Sequence, residues 1–231
     1  MNEQFRALER QIIECRRCPR LVEWRETVAT EKTRRFRIEE YWGRPVPAFG
    51  SPDGALVIVG LAPAAHGGNR TGRIFTGDRS GDWLYDALYR FGFANQPASV
   101  SVDDGLKVND CLITAVIRCA PPDNRPLPEE VENCREYLQR ELRLASRKRI
   151  VIALGRIAFN AFLRTRHIDG GQPMHPKPVF HHGGEWNLPE GIILIASYHP
   201  SQQNTQTGKL TREMFYQIFD RARGILSGGR Q

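Results

Sequence analysis

The sequence ALVIVGLAPAAHGGNRTGRIFTGD, residues Ala55 to Asp78, decides the fold. It joins a short apolar run, Ala55–Val59, to a loop that contains five glycines. A short apolar run that ends at a glycine is typical of a buried β-strand. In open α/β sheets, ligands bind in the crevice outside the carboxyl ends of the strands, which is where this loop begins. We therefore expect the loop Gly60–Asp78 to line a ligand pocket that later strand ends complete.

Three further apolar runs have the same arrangement, because each is followed by apolar residues at helical spacing. The four strands are predicted at Ala55–Val59, Val108–Ile117, Ile150–Leu154 and Ile192–Ser197. The helices that follow are predicted around Trp83–Phe91, with Ser80 or Asp82 as the cap, and at Pro128–Leu142, Ile157–Leu163 and Thr211–Leu226. Four strand–helix units predict a parallel sheet that is covered by helices on both faces.

Length and composition narrow the class of protein. The chain has 231 residues, of which 40% are hydrophobic, so we expect one domain rather than two. No uncharged apolar run approaches the ~20 residues that span a bilayer, and the N-terminus lacks the apolar core of a secretory signal. We therefore expect a cytoplasmic protein without a membrane segment. The net charge of +7 makes a polyanion such as nucleic acid a plausible partner.

Five cysteines have to be explained as thiols or ligands, because cytosolic proteins rarely keep disulfides. Cys15 and Cys18 are spaced like half of a metal knuckle. Cys119 follows a predicted strand and Cys134 lies in a predicted helix. This spread favours an iron–sulfur cluster over zinc, while buried apolar thiols are the alternative. Cys111 begins a predicted strand and is interpreted as a core residue, although spacing alone leaves it open as a ligand.

Two regions between the predicted elements carry residues that invite a functional interpretation. Before the first strand, an amphipathic helix is predicted to end near Cys15, and residues 25–50 are predicted to be irregular. Their basic and aromatic residues suit a phosphate backbone, but a solvated connector is the favoured interpretation. Residues 165–190 are predicted to form a surface loop rather than a metal site, because the histidine spacing matches no metal motif. Its histidines are His167, His175, His181 and His182.

The loop after the fourth strand, Tyr198–Lys209, is dense in uncharged hydrogen-bonding side chains. Such groups suit contacts to phosphate, sugar and base edges. Although the loop ends in Gly208-Lys209, Gln203 and Leu210 do not match a Walker-type phosphate loop, so an NTPase of that class is excluded.

Four short motifs together resemble the uracil-DNA glycosylase superfamily, most closely its family 5, the UDGb type of prokaryotic iron–sulfur uracil-DNA glycosylase. The motifs are Gly60–Ala64 (GLAPA), Phe75–Asp78 (FTGD), Arg118–Pro122 (RCAPP) and His199–Ser201 (HPS). The resemblance covers nearly the whole chain. It implies a three-layer α/β/α sandwich with a central four-stranded, mostly parallel sheet. It also implies one domain over residues 1–231, with an iron–sulfur segment of about residues 1–50 packed on it.

The resemblance implies hydrolysis of the N-glycosidic bond of uracil in DNA. Family members of this type also accept other deaminated bases such as hypoxanthine. A structural 4Fe-4S cluster is implied on Cys15, Cys18, Cys119 and Cys134, and it would tie the N-terminal helix to the loop that carries Asn124. The expected partner is DNA that contains uracil or other deaminated bases, and the protein is expected to be a monomer.

The chain departs from the wider superfamily where relatives have a water-activating residue. Ala62 stands where many relatives have Asp or Asn, and Leu61 stands where iron–sulfur family 4 enzymes have Glu. The resemblance leaves Asp78, Asn124 and His199 as the catalytic candidates. His199 would donate a hydrogen bond to the leaving base, Asn124 would position the water, and Asp78 would assist it or balance charge on the sugar. The alternatives are a helix-terminal acid for Asp78, a turn residue for Asn124 and a loop cap for His199.

Pocket and DNA contacts complete the hypothesis. The residues expected to surround the base are Gly60, Ala62, Ala64 and Phe75, with Phe75 stacking on it unless the ring belongs to the core. The residues expected to contact DNA are Arg73, Ser201, Gln203 and Asn204. Lys209 is the only lysine in the pocket loops, so we expect hydrolysis without strand cleavage through a Schiff base. The alternative is a non-catalytic iron–sulfur DNA-binding or damage-sensing module, and a nucleotide-binding α/β enzyme is disfavoured because no GxGxxG pattern follows the first strand.

Overall fold

The computed structural model describes residues 3–228. Its strands are β1 (Phe49–Gly50), β2 (Leu56–Gly60), β3 (Cys111–Ala115), β4 (Ile150–Leu154), β5 (Glu185–Asn187) and β6 (Ile193–Ser197). Its helices are α1 (Glu3–Ile13), α2 (Pro19–Glu31), α3 (Gly68–Thr71), α4 (Arg79–Arg90), α5 (Pro128–Leu144), α6 (Arg156–Ile168), α7 (Gln202–Gln206) and α8 (Arg212–Gly228). Short 3₁₀ turns cover Arg34–Phe36 and Pro122–Asn124.

The strands form one sheet in the order β1-β3-β2-β4-β6-β5. The four inner strands are parallel and correspond to the four that the apolar runs predict. The sheet has six strands rather than the four expected. The additional strands are β1, which pairs antiparallel with β3, and β5, which pairs antiparallel with β6. These edge strands have only two and three residues, so they are too short to show the alternation by which a strand is recognised.

Helices cover both faces of this sheet, which confirms the predicted α/β/α class. Successive side chains of a strand point to opposite faces. Val57 and Val59 of β2 belong to the core shared with α1, α5 and α6, while Leu56 and Ile58 belong to the core shared with α4 and α8. The inner strands are apolar along their whole length because both of their faces are buried.

Two regions that the sequence predicts as irregular contain regular structure. Within residues 25–50, helix α2 continues to Glu31 and buries Arg25 and Val28 on one side. The sequence does not reveal α2, because the amphipathic pattern of this helix is weak and a charged run begins at Glu31. Within residues 165–190, α6 continues to Ile168 and β5 adds an edge strand.

The topology brings four loops to the carboxyl edge of the sheet. The chain moves from β2 to its neighbour β3 on one side, and from β4 to β6 on the other, so the connections diverge between β2 and β4. Such a switch point opens a crevice at the carboxyl ends of the two strands. Within residues 3–228, none of the helices has the length and apolar character needed to cross a bilayer.

Candidate active site

Phe75 and His199 meet at the carboxyl edge of the sheet. Phe75 has a φ of +55°, which is uncommon for a residue other than glycine. Its ring covers the end of β2, where a Cβ added to Gly60 would lie only 2.6 Å from the Cζ of Phe75. The rings of Phe75 and His199 are stacked, with centroids 6.0 Å apart and an angle of 29° between their planes. The structure therefore joins two predicted site residues that lie more than a hundred positions apart.

Burial keeps the imidazole of His199 neutral. Desolvation lowers its pKa to about 4, so it carries one N–H donor and one acceptor nitrogen at neutral pH. The segment after it is held by Asn204, whose Nδ2 donates to the carbonyl oxygen of His199 at 2.9 Å. Ser201 caps α7 by accepting from the backbone N–H of Asn204. Ser201 and Asn204 are thus partly engaged in shaping the turn, while Gln203 is exposed.

His182 supports the residue that precedes His199. Its Nδ1 accepts a hydrogen bond from the backbone N–H of Tyr198 at 3.1 Å, and its ring is stacked on the Tyr198 ring with centroids 5.1 Å apart. Burial lowers the pKa of His182, so this nitrogen remains an acceptor at neutral pH. The sequence gives no signal for this contact, because it depends on how the 165–190 segment folds back on β6.

Asp78 is the N-cap of α4, in place of the predicted Ser80 or Asp82. Its Oδ1 accepts from the backbone N–H of Gly81 at 2.9 Å. Its Oδ2 approaches Gly67 so closely that a Cβ there would be 2.4 Å away. Burial raises the pKa of this carboxyl group. Asp78 is therefore a helix-terminal acid, as the alternative interpretation of this residue expects. A catalytic role of Asp78 would be additional to this capping contact.

Asn124 is exposed in the 3₁₀ turn after β3. It and Asp123 have φ values of +55° and +53°, a left-handed conformation that Asn and Asp tolerate better than most residues. Among the described residues, its side chain makes no hydrogen bond to Asp78 or His199. The turn follows the carboxyl end of β3, so Asn124 shares the sheet edge that carries the other two candidates.

The position of Arg73 speaks against the DNA contact predicted for it. Its side chain is 5% exposed, and its guanidinium pairs with the carboxylate of Asp104, with 2.6 Å between Nη2 and Oδ2. Ala62 and Ala64 are half-buried on the loop that also carries Phe75. The ring of Phe75 is 4% exposed and packs into the core shared with α4 and α8, as the alternative interpretation of this residue expects.

Four cysteines line one cavity behind this edge. The cysteines that line this narrow cavity are Cys15, Cys18, Cys119 and Cys134. Cys111 lies in the core on the opposite face of the sheet, as its position at the start of a strand predicts. All five cysteines are free thiols. Within residues 3–228, no three or more His, Cys, Asp or Glu side chains are arranged to hold a single metal ion.

The cavity contains a buried positive charge. Arg25 is 2% exposed, and its Nη1 donates to the Sγ of Cys119 at 2.9 Å and to the carbonyl oxygen of Cys15 at 3.2 Å. Its Nε is buried and has no hydrogen-bond partner among the described residues. Burial raises the pKa of Cys119 to about 11 and that of Cys134 to about 12, so without a positive ligand both remain protonated.

Comparisons with known proteins give similarities over most of the chain. The family model described as the Uracil DNA glycosylase superfamily matches residues 47–223. A Type-5 uracil-DNA glycosylase of Mycobacterium leprae is 52% identical over 219 residues, which cover 94% of this chain and 94% of the relative. One of Thermus thermophilus is 50% identical over 211 residues, which cover 91% of this chain and 93% of the relative. A Type-4 uracil-DNA glycosylase of Archaeoglobus fulgidus is 32% identical over 157 residues, or 68% of this chain and 70% of the relative.

Proposed function

The chain belongs to the uracil-DNA glycosylase superfamily, and from this premise we propose that it removes uracil from DNA by hydrolysing the N-glycosidic bond. The observation that carries the proposal is the identity of 50% or more to Type-5 uracil-DNA glycosylases over at least nine-tenths of the chain. The stacked pair of Phe75 and His199 supplies a place for the base and a donor for it. The product is an abasic site.

His199 stabilises the leaving base. As the glycosidic bond breaks, its electron pair moves onto uracil, and negative charge develops on a carbonyl oxygen of the base. A neutral imidazole N–H aimed at that oxygen stabilises the transition state without having to give up its proton. In other enzymes one such donor contributes about 3 to 4 kcal/mol. The neutral state of His199, which follows from its burial, supports this role.

Phe75 receives the base when the nucleotide leaves the DNA stack. Flipping a nucleotide costs a few kcal/mol, and less when the base is mispaired. Stacking on an aromatic ring returns roughly 1 to 3 kcal/mol per base. Gly60 lets the Phe75 ring lie against the end of β2. In this proposal Gly60, Ala62 and Ala64 line the base, and none of them carries a side chain beyond Cβ. The same pocket accepts other deaminated bases such as hypoxanthine in this proposal.

Water completes the hydrolysis at the sugar. Its oxygen attacks C1′ while the bond from C1′ to the base nitrogen breaks, and its proton is lost to solvent or to the departing base. We assign the positioning of this water to the exposed amide of Asn124, and the balance of positive charge on the sugar to Asp78. The amine of Lys209 lies over the Tyr198 ring, 4.8 Å from its centroid, which supports hydrolysis without a Schiff base.

We further propose that Cys15, Cys18, Cys119 and Cys134 hold a 4Fe-4S cluster. The four thiols line one cavity, and each would bind a different iron atom, so they do not need to converge on a single metal position. Arg25 suits the negative charge of a cluster with four thiolates, because its buried guanidinium donates to Cys119. The cluster supplies structural support here, joining the segment before α2 to the end of β3 and to α5.

The remaining parts of the proposal concern the DNA and the state of the protein. Ser201, Gln203 and Asn204 contact DNA beside the pocket, where the net charge of +7 favours a polyanion. The chain acts as a monomer in the cytoplasm, where free thiols persist. The described residues 3–228 belong to one glycosylase-like domain, on which the segment up to about residue 50 packs, and the remaining residues of the predicted domain 1–231 lie outside the described residues.

Base release tests the function directly. The substrate is a duplex oligonucleotide with one deoxyuridine, and hypoxanthine and unmodified duplexes are run beside it. We expect strand cleavage at uracil only after alkali, because an enzyme of this kind leaves the abasic strand intact. His199→Ala is expected to lower the single-turnover rate by about 10²-fold or more while retaining DNA binding. His167→Ala, which alters an exposed histidine at the end of α6, is the matched control.

The same experiment separates the enzyme from a DNA-binding or damage-sensing module. The alanine at position 62 favours such a module, because it removes a water-activating side chain. If iron-loaded protein binds DNA but releases no base from either lesion, the enzymatic proposal is wrong and the chain is a DNA-binding or damage-sensing module. Equal rates for His199→Ala and the wild type would leave a glycosylase whose leaving-group donor lies elsewhere.

A further inference from the structure

Arg73 lies at the centre of a buried polar network that the proposed chemistry does not use. Its Nη2 is 2.6 Å from Oδ2 of Asp104 and 2.7 Å from Oγ of Ser99, and its Nε donates to Oγ1 of Thr76 at 2.9 Å. Oγ1 of Thr76 and Oγ of Ser99 are also hydrogen-bonded to each other at 2.6 Å. Arg73, Asp104, Ser99 and Thr76 are called the Arg73 network below.

Asp104 organises its own loop before it meets Arg73. Its Oδ2 accepts from the backbone N–H groups of Val100 at 2.8 Å and Ser101 at 3.3 Å, and its Oδ1 accepts from that of Leu106 at 3.0 Å. These bonds and the Arg73 guanidinium hold the pKa of Asp104 at about 2, although burial opposes the ionised form. The carboxylate is therefore charged at every pH at which the protein is expected to work.

The Arg73 network encloses the backbone on both sides of Phe75. Arg73 lies two positions before Phe75 and Thr76 lies directly after it. Beyond Thr76, the backbone N–H of Gly77 donates to the carbonyl oxygen of Ser99 at 2.8 Å. On the other side, the hydroxyl of Tyr85 donates to the carbonyl oxygen of Ile74 at 2.8 Å. The left-handed conformation of Phe75 is thus fixed by contacts of its neighbours.

We propose that the Arg73 network is a positioning device that holds the ring of Phe75 opposite His199 and thereby sets the rate of base excision. This inference rests on the proposed function, because it assigns the flipped base to the space beside Phe75. The network acts through the backbone of residues 73–77 and touches neither the base nor the water. Asp104 is the least expected member, since it reaches the pocket loop from the segment before β3.

Neutralising Asp104 tests the proposal. Asp104→Asn keeps the size of the side chain but removes the charge that pairs with Arg73. We expect the single-turnover rate of uracil release to fall at least tenfold, while the dissociation constant for the same duplex changes less than threefold. The matched control is Asp103→Asn, which removes one negative charge from the same loop at an exposed position. Asp103→Asn is expected to match the wild type.

A double-mutant cycle with Phe75→Leu distinguishes positioning from general support of the fold. If the network acts through the Phe75 ring, Asp104→Asn has less than a threefold effect in the Phe75→Leu background, because the two changes remove the same contact. A full tenfold effect in that background would overturn the proposal. Should Asp104→Asn fail to fold, Ser99→Ala replaces it in the same cycle, with an expected decrease of about threefold that also disappears without Phe75.

The controls keep this inference apart from the proposed function. If neither the wild type nor Asp103→Asn releases uracil, the proposed glycosylase activity itself is contradicted. Active wild type with an equally active Asp104→Asn would contradict only the positioning role of the network. A parallel loss of rate and of DNA affinity would also contradict it, since the network would then support DNA binding rather than the position of the Phe75 ring.

Discussion

The imidazole of His199 lies against the Phe75 ring on one side and beside Gly155 on another. Gly155 has a φ of +96°, which favours glycine, and an added Cβ there would be in contact with the Cβ of His199 at 3.4 Å. These neighbours desolvate the half-buried ring and offer no carboxylate to stabilise an imidazolium. The motif HPS can be read from the sequence, but the protonation state of its histidine follows from the loops that surround it.

Acid stability reports this protonation state. Between about pH 4 and the usual His pKa of 6.5, the unfolded chain binds a proton at residue 199 that the folded protein does not. Stability therefore falls as pH drops through this window, by about 2 kcal/mol at pH 5 from this residue alone. We expect His199→Asn to lose less stability than the wild type between pH 7 and pH 5 in urea unfolding. An equal loss in both proteins would mean that His199 titrates normally.

Arg25 is the second residue whose surroundings define its role. Arg25→Met removes the buried guanidinium beside Cys119 while keeping an unbranched side chain of similar reach. A cluster with four thiolates is anionic, so we expect the variant to hold at least twofold less iron after purification in air and to have a lower cluster reduction potential. Iron analysis and redox titration followed by absorbance measure both effects.

The control for Arg25 is Arg16→Met, because Arg16 forms an ion pair with Glu26 at the surface. Its iron content and reduction potential are expected to remain those of the wild type. Unchanged values in Arg25→Met would show that the guanidinium does not compensate the charge of a cluster.

At the scale of the element, the N-terminus of α4 packs against the loop that carries the pocket residues. The helix begins immediately after the loop Gly60–Asp78, and Asp78 is at once the last residue of that loop and the N-cap. Gly81 has to remain a glycine, because a Cβ there would be 1.8 Å from the carbonyl oxygen of Phe75. The first turn of α4 and the backbone of Phe75 are therefore packed as one unit.

Two substitutions of Asp78 separate its structural and chemical contributions. Ser is as good an N-cap as Asp, whereas Ala loses the cap and costs about 1 kcal/mol. We expect Asp78→Ser to keep the melting temperature near that of the wild type but to lower uracil release at least tenfold, since it removes the carboxylate. Asp78→Ala is expected to lower both. Normal uracil release by Asp78→Ser would restrict Asp78 to capping.

Elements with a clear local pattern of apolar residues could be predicted from the sequence, whereas elements that depend on contacts with distant residues could not. The four inner strands are predicted correctly, since burial on both faces makes them apolar throughout. Helix α2 and strand β5 are missed because their short or mixed patterns are decided by tertiary contacts. The same limit applies to the site. Phe75 and His199 lie in recognisable motifs, but the partners Asp104 and His182 come from loops without a local signal.

At the scale of the whole molecule, the four cavity cysteines come from three separate parts of the chain. Cys15 and Cys18 lie between α1 and α2, Cys119 follows β3, and Cys134 lies in α5. A cluster bound to all four would close a loop of about a hundred residues between Cys18 and Cys119, and long cross-linked loops restrict the unfolded chain most strongly. Its contribution to stability would be felt across the core that α1, α5 and the sheet share.

Removing one ligand tests this long-range support. We expect Cys18→Ser to lose most of its iron and to melt several degrees below the wild type, because one attachment of the N-terminal segment is lost. Cys111→Ala is the matched control, since it also alters a buried cysteine but on the opposite side of the sheet. It is expected to keep its iron. Full iron content and an unchanged melting temperature in Cys18→Ser would exclude Cys18 as a ligand.

The short edge strands β1 and β5 have a consequence for how this architecture can diverge. They have only two and three residues, so the sheet offers little edge to which another strand could pair, and helices already cover both of its faces. Insertions and substitutions are accommodated most easily in the loops at the carboxyl edge. Small changes in those loops can therefore alter which base is accepted, while the interior tolerates few changes because both faces of the inner strands are packed.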